Sequence, residues 1–378
     1  MNNTNKEINE TGWESPFAVH PGVFLNDFIE DFSMNQVDLA KRVGLTPKTI
    51  NEIIKGKTGI TKSTALRLST VFPVSETYWN SLQEEYLSDL ARIENEERIS
   101  EEIQKYLPNY RETYSELKRH SLVSTYRWHK NNFKDILLVL HKYFGASSLL
   151  YVEGDLISNT SFRTYTKKDF NRYTIAAWVR AGEKKSLTTD VSKFNLKKLR
   201  QELPTIRGLS NKSPAEYLPL LEKILGDCGV TLVYMPLFRN SHVQGAVKWI
   251  SKDKVALILN SHKRSEDKFW FNLFHELGHI IKHGKKNQID FNKRAGSQIE
   301  EEADKFAQDN LVPNYKRTYS RLSEYRDYRK GIIDLSKELG ISPSILAGRI
   351  AYEQSLCGNN LYQKYSEFWR TTITYSNL

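Results

Sequence analysis

One stretch, FNLFHELGHIIKHG at residues 271–284, constrains the fold of this chain more than any other. It contains His275-Glu276-Leu-Gly-His279, and two histidines that stand four residues apart lie on the same face of a helix. Zinc in proteins accepts imidazole nitrogen atoms as ligands, and a catalytic zinc keeps one position open for water. Glu276 lies next to His275 and is placed to take the proton of that water. The spacing therefore predicts a zinc-binding helix, with Glu276 as the general base.

The same stretch is amphipathic, as expected for a helix that packs against a protein core. Its apolar residues project from the face opposite the two histidines: Trp270, Leu273, Phe274, Leu277, Ile280 and Ile281. So short a motif also arises by chance, so the prediction depends on a third ligand. His283 is a poor candidate, because a straight helix rises about 12 Å between His275 and His283. We predict that His283 ends the helix or orients one of the ligands.

A better third ligand lies in the stretch SQIEEEADKFA at residues 297–307. Glu300 and Asp304 share one helical face there with two alanines, which allow another helix to approach closely. In that arrangement Glu300 reaches the ion, and Asp304 accepts a hydrogen bond from a ligand histidine. Two simpler interpretations stay open. Ser297 and Glu300 also match the S-x-x-E pattern of a helix cap, and the neighbouring glutamates are compatible with a solvated surface.

Three short apolar runs precede the predicted metal helix and have the character of strands. They lie at residues 230–234, 246–250 and 255–260. We predict that the last of them is an edge strand, which pairs with an extended peptide beside the metal. Strands that lead into a zinc-binding helix indicate an α+β domain of the zincin type.

Composition restricts the kind of protein further. The chain has 378 residues, enough for two or three domains, and 39% of them are hydrophobic, enough to form cores. Its two cysteines, Cys228 and Cys357, exclude a disulfide framework and a cysteine-ligated zinc ribbon. The polar N-terminus MNNTNKEINE has no apolar signal region, and no apolar run approaches the roughly 18 residues of a membrane helix. We therefore expect a cytoplasmic protein without a membrane partner.

Residues 34–54, MNQVDLAKRVGLTPKTINEII, have the pattern of two short helices joined by a tight turn. Asn35 is predicted to cap the first helix, and Gly44 to end it in the left-handed conformation that glycine adopts easily. Thr46 is predicted to cap the second helix, and Pro47 occupies its first position, where proline is tolerated. This is a helix-turn-helix, whose second helix enters the major groove of DNA.

Charge supports a nucleic-acid surface in this region. The net charge of +10 permits nucleic-acid binding without demonstrating it, but residues 41–62 contain six Lys or Arg and one acid. We predict that side chains at the start of the second helix meet base edges and that the lysines beyond it meet phosphates. A similar helical hairpin with basic flanks also occurs in modules that bind proteins. The predicted DNA-binding residues are Gln36, Thr46, Lys48, Thr49, Asn51, Lys55, Lys57 and Lys62.

The segment between the two motifs shows no chemical pattern. Four helices are predicted there, at residues 86–106, 135–144, 168–180 and 194–202. The last is predicted to stop at Pro204. We predict that this segment is a helical connector, which positions the N-terminal domain or senses a partner.

The N-terminal motifs resemble the Cro/repressor-type domain of HigA-type antitoxins. The resemblance covers residues 17–79 and rests on HPGVFL at 20–25, on the helix-turn-helix and on IIKGKTGIT at 53–61. It implies binding to operator DNA, commonly as a homodimer that reads a palindrome.

The C-terminal motifs resemble the ImmA/IrrE family of metallopeptidases. The resemblance covers residues 229–313 and rests on FWFNLFHELGH at 269–279, EEEADKFA at 300–307 and LVP at 311–313. It implies a gluzincin-like site, and members of the family are linked to the cleavage of repressor-like proteins and to stress and mobile-element control. The implied zinc ligands are His275, His279 and Glu300, with Glu276 as the general base.

Together these patterns predict a multidomain, mainly α-helical chain. The predicted parts are a helix-turn-helix bundle at residues 1–100, a helical connector at 101–205 and an α+β zincin-like metallopeptidase domain of the gluzincin type at 206–378. Two functions are compatible with these parts. The first is a DNA-binding regulator with zinc endopeptidase activity that cleaves a specific protein partner, such as a repressor or toxin. The second is an antitoxin that represses its own operon, with the zincin domain as a sensor or partner-binding module.

Overall fold

The computed structural model of the protein describes residues 15–152, 160–164, 171–239, 241, 243–260, 264–286, 298–356, 368 and 372–373. For residues 160–164, 264 and 372–373 the description covers the backbone alone. The polar N-terminus, Ser297 and Cys357, for which predictions were made, lie outside the described residues.

The chain divides into two compact units, residues 1–104 and 105–378, and each contains a hydrophobic core. The mainly helical, multidomain fold class is therefore confirmed. Most of the predicted connector lies in the same compact unit as the predicted metallopeptidase domain. A domain boundary at residue 205 stays a prediction.

The first unit is helical. Its α-helices within the described residues are α1 (Pro21–Asp31), α2 (Gln36–Val43), α3 (Pro47–Ile54), α4 (Lys62–Ser69) and α5 (Glu76–Lys105), the last ending at the unit boundary. Apolar side chains from all five helices are buried together and form the core. Its members include Leu25, Leu39, Ile50, Ile53, Leu68 and Trp79.

The turn between α2 and α3 forms as its residues predict. The Asn35 side chain accepts a hydrogen bond from the backbone N–H of Asp38, and Gly44 ends α2 with a φ of 65°. The Thr46 side chain accepts a hydrogen bond from the backbone N–H of Thr49 at the start of α3. Each cap satisfies a backbone donor that a helix terminus leaves without an intrahelical partner. The two helices are therefore fixed by local hydrogen bonds as well as by the core.

The second unit combines helices with a small sheet. Its α-helices with described bounds are α6 (Arg111–Arg119), α7 (Phe133–Phe144), α8 (Arg172–Leu187), α9 (Leu196–Gly208), α10 (Pro214–Asp227), α11 (Glu266–Gly278), α12 (Gln298–Leu311), α13 (Tyr315–Ser323), α14 (Tyr328–Leu339) and α15 (Pro343–Leu356). The strands are β1 (Thr160–Thr164), β2 (Val230–Met235), β3 (Val243–Trp249), β4 (Val255–Asn260), β5 (Arg264–Ser265) and β6 (Thr372–Ile373). Within the described part of the chain, no helix has both the length and the apolar sequence needed to cross a membrane.

Four strands form one sheet in the order β1-β3-β4-β2. β4 pairs in parallel with β2, with Val230 opposite Val255, and antiparallel with β3. The prediction that residues 255–260 form an edge strand is therefore wrong. All six residues of β4 are buried, as expected for an apolar run that is covered on both faces.

The edge beside β3 is occupied by a strand that the sequence analysis missed. β1 pairs antiparallel with β3, and Phe162 lies opposite Ala246 in the register. β1 comes from residues 101–205, where we predicted helices alone. The run TSFRT of β1 has no distinctive local pattern, so only pairing with β3 identifies it as a strand.

Helix α9 also differs from its prediction. Residues 194–202 were predicted to form a helix that stops at Pro204, but α9 continues to Gly208 with this proline inside it. Leu203 and Ile206 are buried around the proline. Packing of these side chains therefore outweighs the backbone hydrogen bond that proline cannot donate.

Helix α11 carries the HELGH motif and packs against α12, α15, β3 and β4. Its predicted apolar face is buried in the core of the unit. α11 comes very close to α12 at Gly278, where a β-carbon would lie 3.2 Å from the Cα atom of Ala303. Ala303 and Ala307 are both fully buried. Small residues on both helices thus allow the approach that brings the acidic face of α12 to the histidines of α11.

Candidate functional site

Three side chains from two neighbouring segments converge at the C-terminal end of α11. The Nε2 atoms of His275 and His279 are 3.0 Å apart. The Glu300 carboxylate lies 3.2 Å from Nε2 of His275 and 3.4 Å from Nε2 of His279. Their potential ligand atoms all lie within 4.8 Å of one another. Two imidazole nitrogens and one carboxylate oxygen are a donor set that fits a catalytic zinc, which takes three protein ligands and keeps a fourth position open.

Asp304 holds the imidazole of His275. Its Oδ1 atom lies 2.8 Å from Nδ1 of His275, and it stands one helical turn after Glu300 in α12. When Nδ1 carries the proton that Asp304 accepts, Nε2 keeps the lone pair that a metal requires. This contact therefore selects the tautomer of His275 in which Nε2 faces Glu300 as a possible ligand.

His283 and Glu302 hold the imidazole of His279 through two successive polar contacts. Nδ1 of His283 lies 3.2 Å from Nδ1 of His279, and Nε2 of His283 lies 3.1 Å from the Glu302 carboxylate. A proton on Nε2 of His283 is donated to Glu302, which leaves Nδ1 of His283 as an acceptor. It can then accept the Nδ1 proton of His279, so that Nε2 of His279 keeps its lone pair. Both histidines of the HELGH motif are thus oriented through Nδ1.

Two features of the contacts among His279, His283 and Glu302 were not predicted from the sequence. The first is a π-helix over His279–His283, a rare conformation that is often found at functional sites. The second is the contact of Glu302 with His283, because an acidic run gives no sign of which member turns inward. The available signal was the spacing of His283, four residues beyond His279, which places both on one side of the helix.

Burial and hydrogen bonding set the charge state of two of these groups. Burial raises the pKa of Glu300, but the contacts of its carboxylate with His275 and His279 outweigh this effect and hold the pKa well below its usual range. Burial lowers the pKa of His279, against the opposing effect of Glu300, which favours the neutral imidazole. A charged carboxylate and a neutral imidazole are the forms in which these side chains bind metals.

Glu276 occupies a fully buried position against strand β3. The strand approaches it at Gly245, where a β-carbon would lie 2.5 Å from Oε1 of Glu276. A larger residue at position 245 would therefore displace the Glu276 carboxylate. This role of Gly245 was not predicted, since a glycine within a strand carries no sign of what approaches it.

The predicted DNA-binding side chains of the first unit are accessible. Thr46, Lys48, Lys55, Lys57 and Lys62 are exposed, whereas Gln36, Thr49 and Asn51 are half-buried. The hydroxyl oxygens of Thr46 and Thr49 lie 2.8 Å apart within the cap of α3. Nζ of Lys48 lies 3.9 Å from the carboxylate of Glu52. These contacts are local, and they leave the start of α3 open to a ligand.

Two protein-family models match the chain. The model described as IrrE N-terminal-like domain matches residues 227–351, which include α11 and α12 with the converging side chains. The helix-turn-helix model matches residues 28–79, which include α2 and α3. The two resemblances drawn from the sequence motifs are therefore confirmed.

The N-terminal region is also similar to individual known proteins. It is 34% identical over 82 residues to Virulence-associated protein I of Dichelobacter nodosus, an alignment that covers 21% of this chain and 74% of that protein. Virulence-associated protein A' of the same organism is 33% identical over 75 residues, which cover 20% of this chain and 64% of that protein.

Similar solved structures include the antitoxin HigA of Pseudomonas aeruginosa with the higBA promoter. It is 31% identical, and the match covers 24% of this chain and 98% of that chain with a TM-score of 0.21. A second Pseudomonas aeruginosa structure, of a protein in complex with its 28-bp operator DNA, is 33% identical, and the match covers 23% of this chain and 97% of that chain with a TM-score of 0.21.

The two family matches fall in different compact units of the chain, residues 1–104 and 105–378. The second match contains His275, His279 and Glu300. The chain therefore carries an N-terminal helix-turn-helix domain and a C-terminal region that matches the IrrE N-terminal-like domain over residues 227–351.

Proposed function

We propose that this protein is a cytoplasmic, DNA-binding regulator with zinc endopeptidase activity, which cleaves a specific protein partner such as a repressor or a toxin. One observation carries the proposal: His275, His279 and Glu300 converge on one another, and Glu276, the residue after His275, is buried in the same helix. Because Nδ1 of each histidine has a polar neighbour, both Nε2 atoms are directed to the third ligand. This arrangement serves metal binding and hydrolysis better than it serves packing of the core.

The proposed chemistry assigns a task to each residue. His275, His279 and Glu300 would hold zinc, which when bound lowers the pKa of a water molecule and polarises the peptide carbonyl. Glu276 would take the proton of the attacking water and transfer it to the amine that leaves. Gly245 lets β3 hold the Glu276 carboxylate in one position.

The helix-turn-helix domain supports a regulatory role for the peptidase. Domains of this kind place their second helix in the major groove of operator DNA, usually as dimers that match a palindrome. Exposed lysines after α3, among them Lys55 and Lys57, supply positive charge for phosphate contacts. We infer that a homodimer binds operator DNA and that this binding brings the peptidase to a partner protein.

Comparison of the proteomes of cells with wild-type protein and cells with Glu276→Gln protein tests this function. A partner that is intact in the variant and fragmented in the wild type would be the substrate. A reporter for the operon, read in the same cells, shows whether cleavage changes transcription. If purified, zinc-loaded protein cleaves neither the cognate repressor nor the cognate toxin, the endopeptidase proposal is contradicted.

A second candidate function is an antitoxin-like regulator that represses its own operon without proteolysis. The observation in its favour is the completeness of the DNA-binding domain, with capped helices, a closed core and accessible basic residues. In this case the C-terminal domain binds a partner or senses a ligand. Reporter output that is the same for wild type and Glu276→Gln under all conditions would favour this function over the first.

Substitution of the predicted DNA-reading residues should separate two kinds of contact. Asn51→Ala is expected to weaken binding to the preferred sequence by about 1–3 kcal/mol, because it removes a contact to a base edge. Lys57→Ala is expected to weaken binding to all sequences, because it removes one phosphate contact. The slope of log affinity against log salt concentration should become shallower by about 1. Fluorescence anisotropy with DNA from the upstream region of the encoding gene, at several salt concentrations, measures both.

Lys142→Ala serves as the matched control for these variants, since Lys142 is an exposed lysine of the second unit. It should leave both affinity and salt dependence unchanged. Equal effects of all three substitutions would show that the predicted reading surface is wrong.

Loss of the contacts that orient His279, from His279 to His283 and from His283 to Glu302, should weaken zinc binding. His283→Ala and Glu302→Gln are each expected to lower zinc affinity by about ten- to a hundred-fold, the usual effect of losing a partner behind a metal ligand. His283→Asn should restore part of the loss, because its side-chain oxygen can accept the proton at Nδ1 of His279. Competition with a chelator of known affinity measures these changes, and unchanged zinc affinity in all three variants would refute the role of His283.

A further inference from the structure

A pocket of about 260 Å³ lies beside the candidate metal centre, where α11, α12 and α15 meet. Asp304 lines it and also contacts His275 at 2.8 Å. Gln244 lines it from β3 and directly precedes Gly245, which lies against Glu276. Asp304 and Gln244 thus connect the wall of the pocket to His275 and to the strand that lies against Glu276.

The size and walls of the pocket fit one large side chain. Its volume is below the range of roughly 300–1,000 Å³ that is common for pockets of drug-sized ligands, so a single side chain is a better match than a cofactor. Apolar residues supply much of the wall: Phe271, Leu311, Val312, Ile345 and Tyr352. A guest with an apolar body would remove this surface from water, which favours binding.

The charged residues that line the pocket balance in formal charge. Its charged lining residues are two acids and two bases: Asp267, Asp304, Lys268 and Arg349. A charged guest would lose its hydration there without meeting an excess of opposite charge. The balance of charge therefore favours a neutral guest.

Arg349 is already ion-paired with Glu353 through Nη2, but two of its other nitrogen atoms and one oxygen atom of Asp267 lack a partner among the described residues. Oδ1 of Asp267 and the Nε and Nη1 atoms of Arg349 are buried without a hydrogen-bond partner in the part of the chain that the structure describes. Asp267 and Arg349 line the same pocket, and Gly348, the residue before Arg349, packs against Asp267: a β-carbon at position 348 would lie 2.8 Å from Cβ of Asp267. Buried polar groups are rarely left unsatisfied. A guest that both donates and accepts hydrogen bonds would satisfy a carboxylate and a guanidinium together.

We propose that this pocket binds one side chain of the protein substrate, next to the bond that is cut. It selects a large, neutral side chain with an apolar body and a polar end, such as tyrosine or glutamine. The inference rests on the proposed peptidase function and names the residue that its substrates carry beside the cleavage site.

Matched hydroxamates test this preference without the need for a known substrate. Each probe joins a zinc-binding hydroxamate to one side chain, that of leucine, tyrosine, glutamine, lysine or glutamate, and acetohydroxamate reports binding to the metal alone. Calorimetry with the zinc-loaded full chain is expected to show tyrosine and glutamine probes binding at least about ten-fold more tightly than lysine and glutamate probes.

Variants of the pocket connect this preference to its residues. Gln308 lines the pocket and is half-buried, so Gln308→Trp fills the space without removing a core side chain. It should weaken the tyrosine probe at least about ten-fold and leave acetohydroxamate unchanged. Lys305→Trp is the matched control, since Lys305 is exposed on the same helix and does not line this pocket. Arg349→Met should reduce the advantage of the tyrosine probe over the leucine probe.

The possible outcomes distinguish this inference from the proposed function. If all side chains bind equally, or if Gln308→Trp and Arg349→Met keep the wild-type preference, the inference is overturned and the peptidase proposal stands. If even acetohydroxamate fails to bind, the metal centre itself is contradicted, and both proposals fall.

Discussion

Replacement of Glu276 by glutamine is expected to lower the rate of partner cleavage by about a hundred- to ten-thousand-fold, the range that a general base contributes. Glutamine has nearly the shape of glutamate, so it should fit the buried space against Gly245. Its amide cannot accept the proton of the attacking water. Because His275, His279 and Glu300 are unchanged, zinc should still bind. Single-turnover cleavage assays, together with zinc content by mass spectrometry, measure the two properties separately.

Glu266→Gln is the control for this substitution. Glu266 is also a buried glutamate of α11, but its Oε2 atom accepts hydrogen bonds from Ser342 at 3.1 Å and Ser344 at 3.2 Å, apart from the metal ligands. Its replacement should leave the cleavage rate within a few-fold of wild type. If the Glu276→Gln protein cleaves as fast as wild type, Glu276 is not the general base, and the non-proteolytic regulator becomes the better explanation of the chain.

Local patterns in the sequence predicted the elements whose structure depends on neighbouring residues. The caps at Asn35 and Thr46 and the glycine turn at Gly44 form because each depends on a hydrogen bond or a φ angle within a few residues. The start of helix α10 is likewise fixed by neighbouring residues, with a proline in its first turn and a capping box between Ser213 and Glu216. Such signals act over one helical turn, so the sequence contains them in full.

Features that depend on distant partners could not be predicted in this way. β1 is a strand because β3 pairs with it, and β4 is interior because it pairs with β3 on one side and with β2 on the other. Within the acidic run, periodicity singled out Glu300, but the contact of Glu302 with His283 depends on the π-helix over His279–His283. Tertiary packing decides these features, and a single sequence does not show which side chains packing brings together.

Replacement of Glu300 by glutamine is expected to lower zinc affinity by roughly a hundred- to a thousand-fold. Structural zinc sites with four protein ligands bind with about 10–16 kcal/mol, so one ligand contributes on the order of 2.5–4 kcal/mol. The amide retains a weak oxygen ligand but loses the negative charge that faces His275 and His279. Competition with a chelator gives the affinity, and the zinc-dependent rise in Tm should shrink in parallel.

The acidic run supplies its own controls, because three successive glutamates can receive the same substitution. Glu301 is exposed, so Glu301→Gln should leave zinc affinity unchanged. Glu302→Gln acts through His283 and should fall between the two, with a loss of about ten- to a hundred-fold. The expected order of loss is therefore Glu300, then Glu302, then Glu301. Equal effects at all three positions would mean that the run acts through its total charge, and the assignment of Glu300 as a metal ligand would then be wrong.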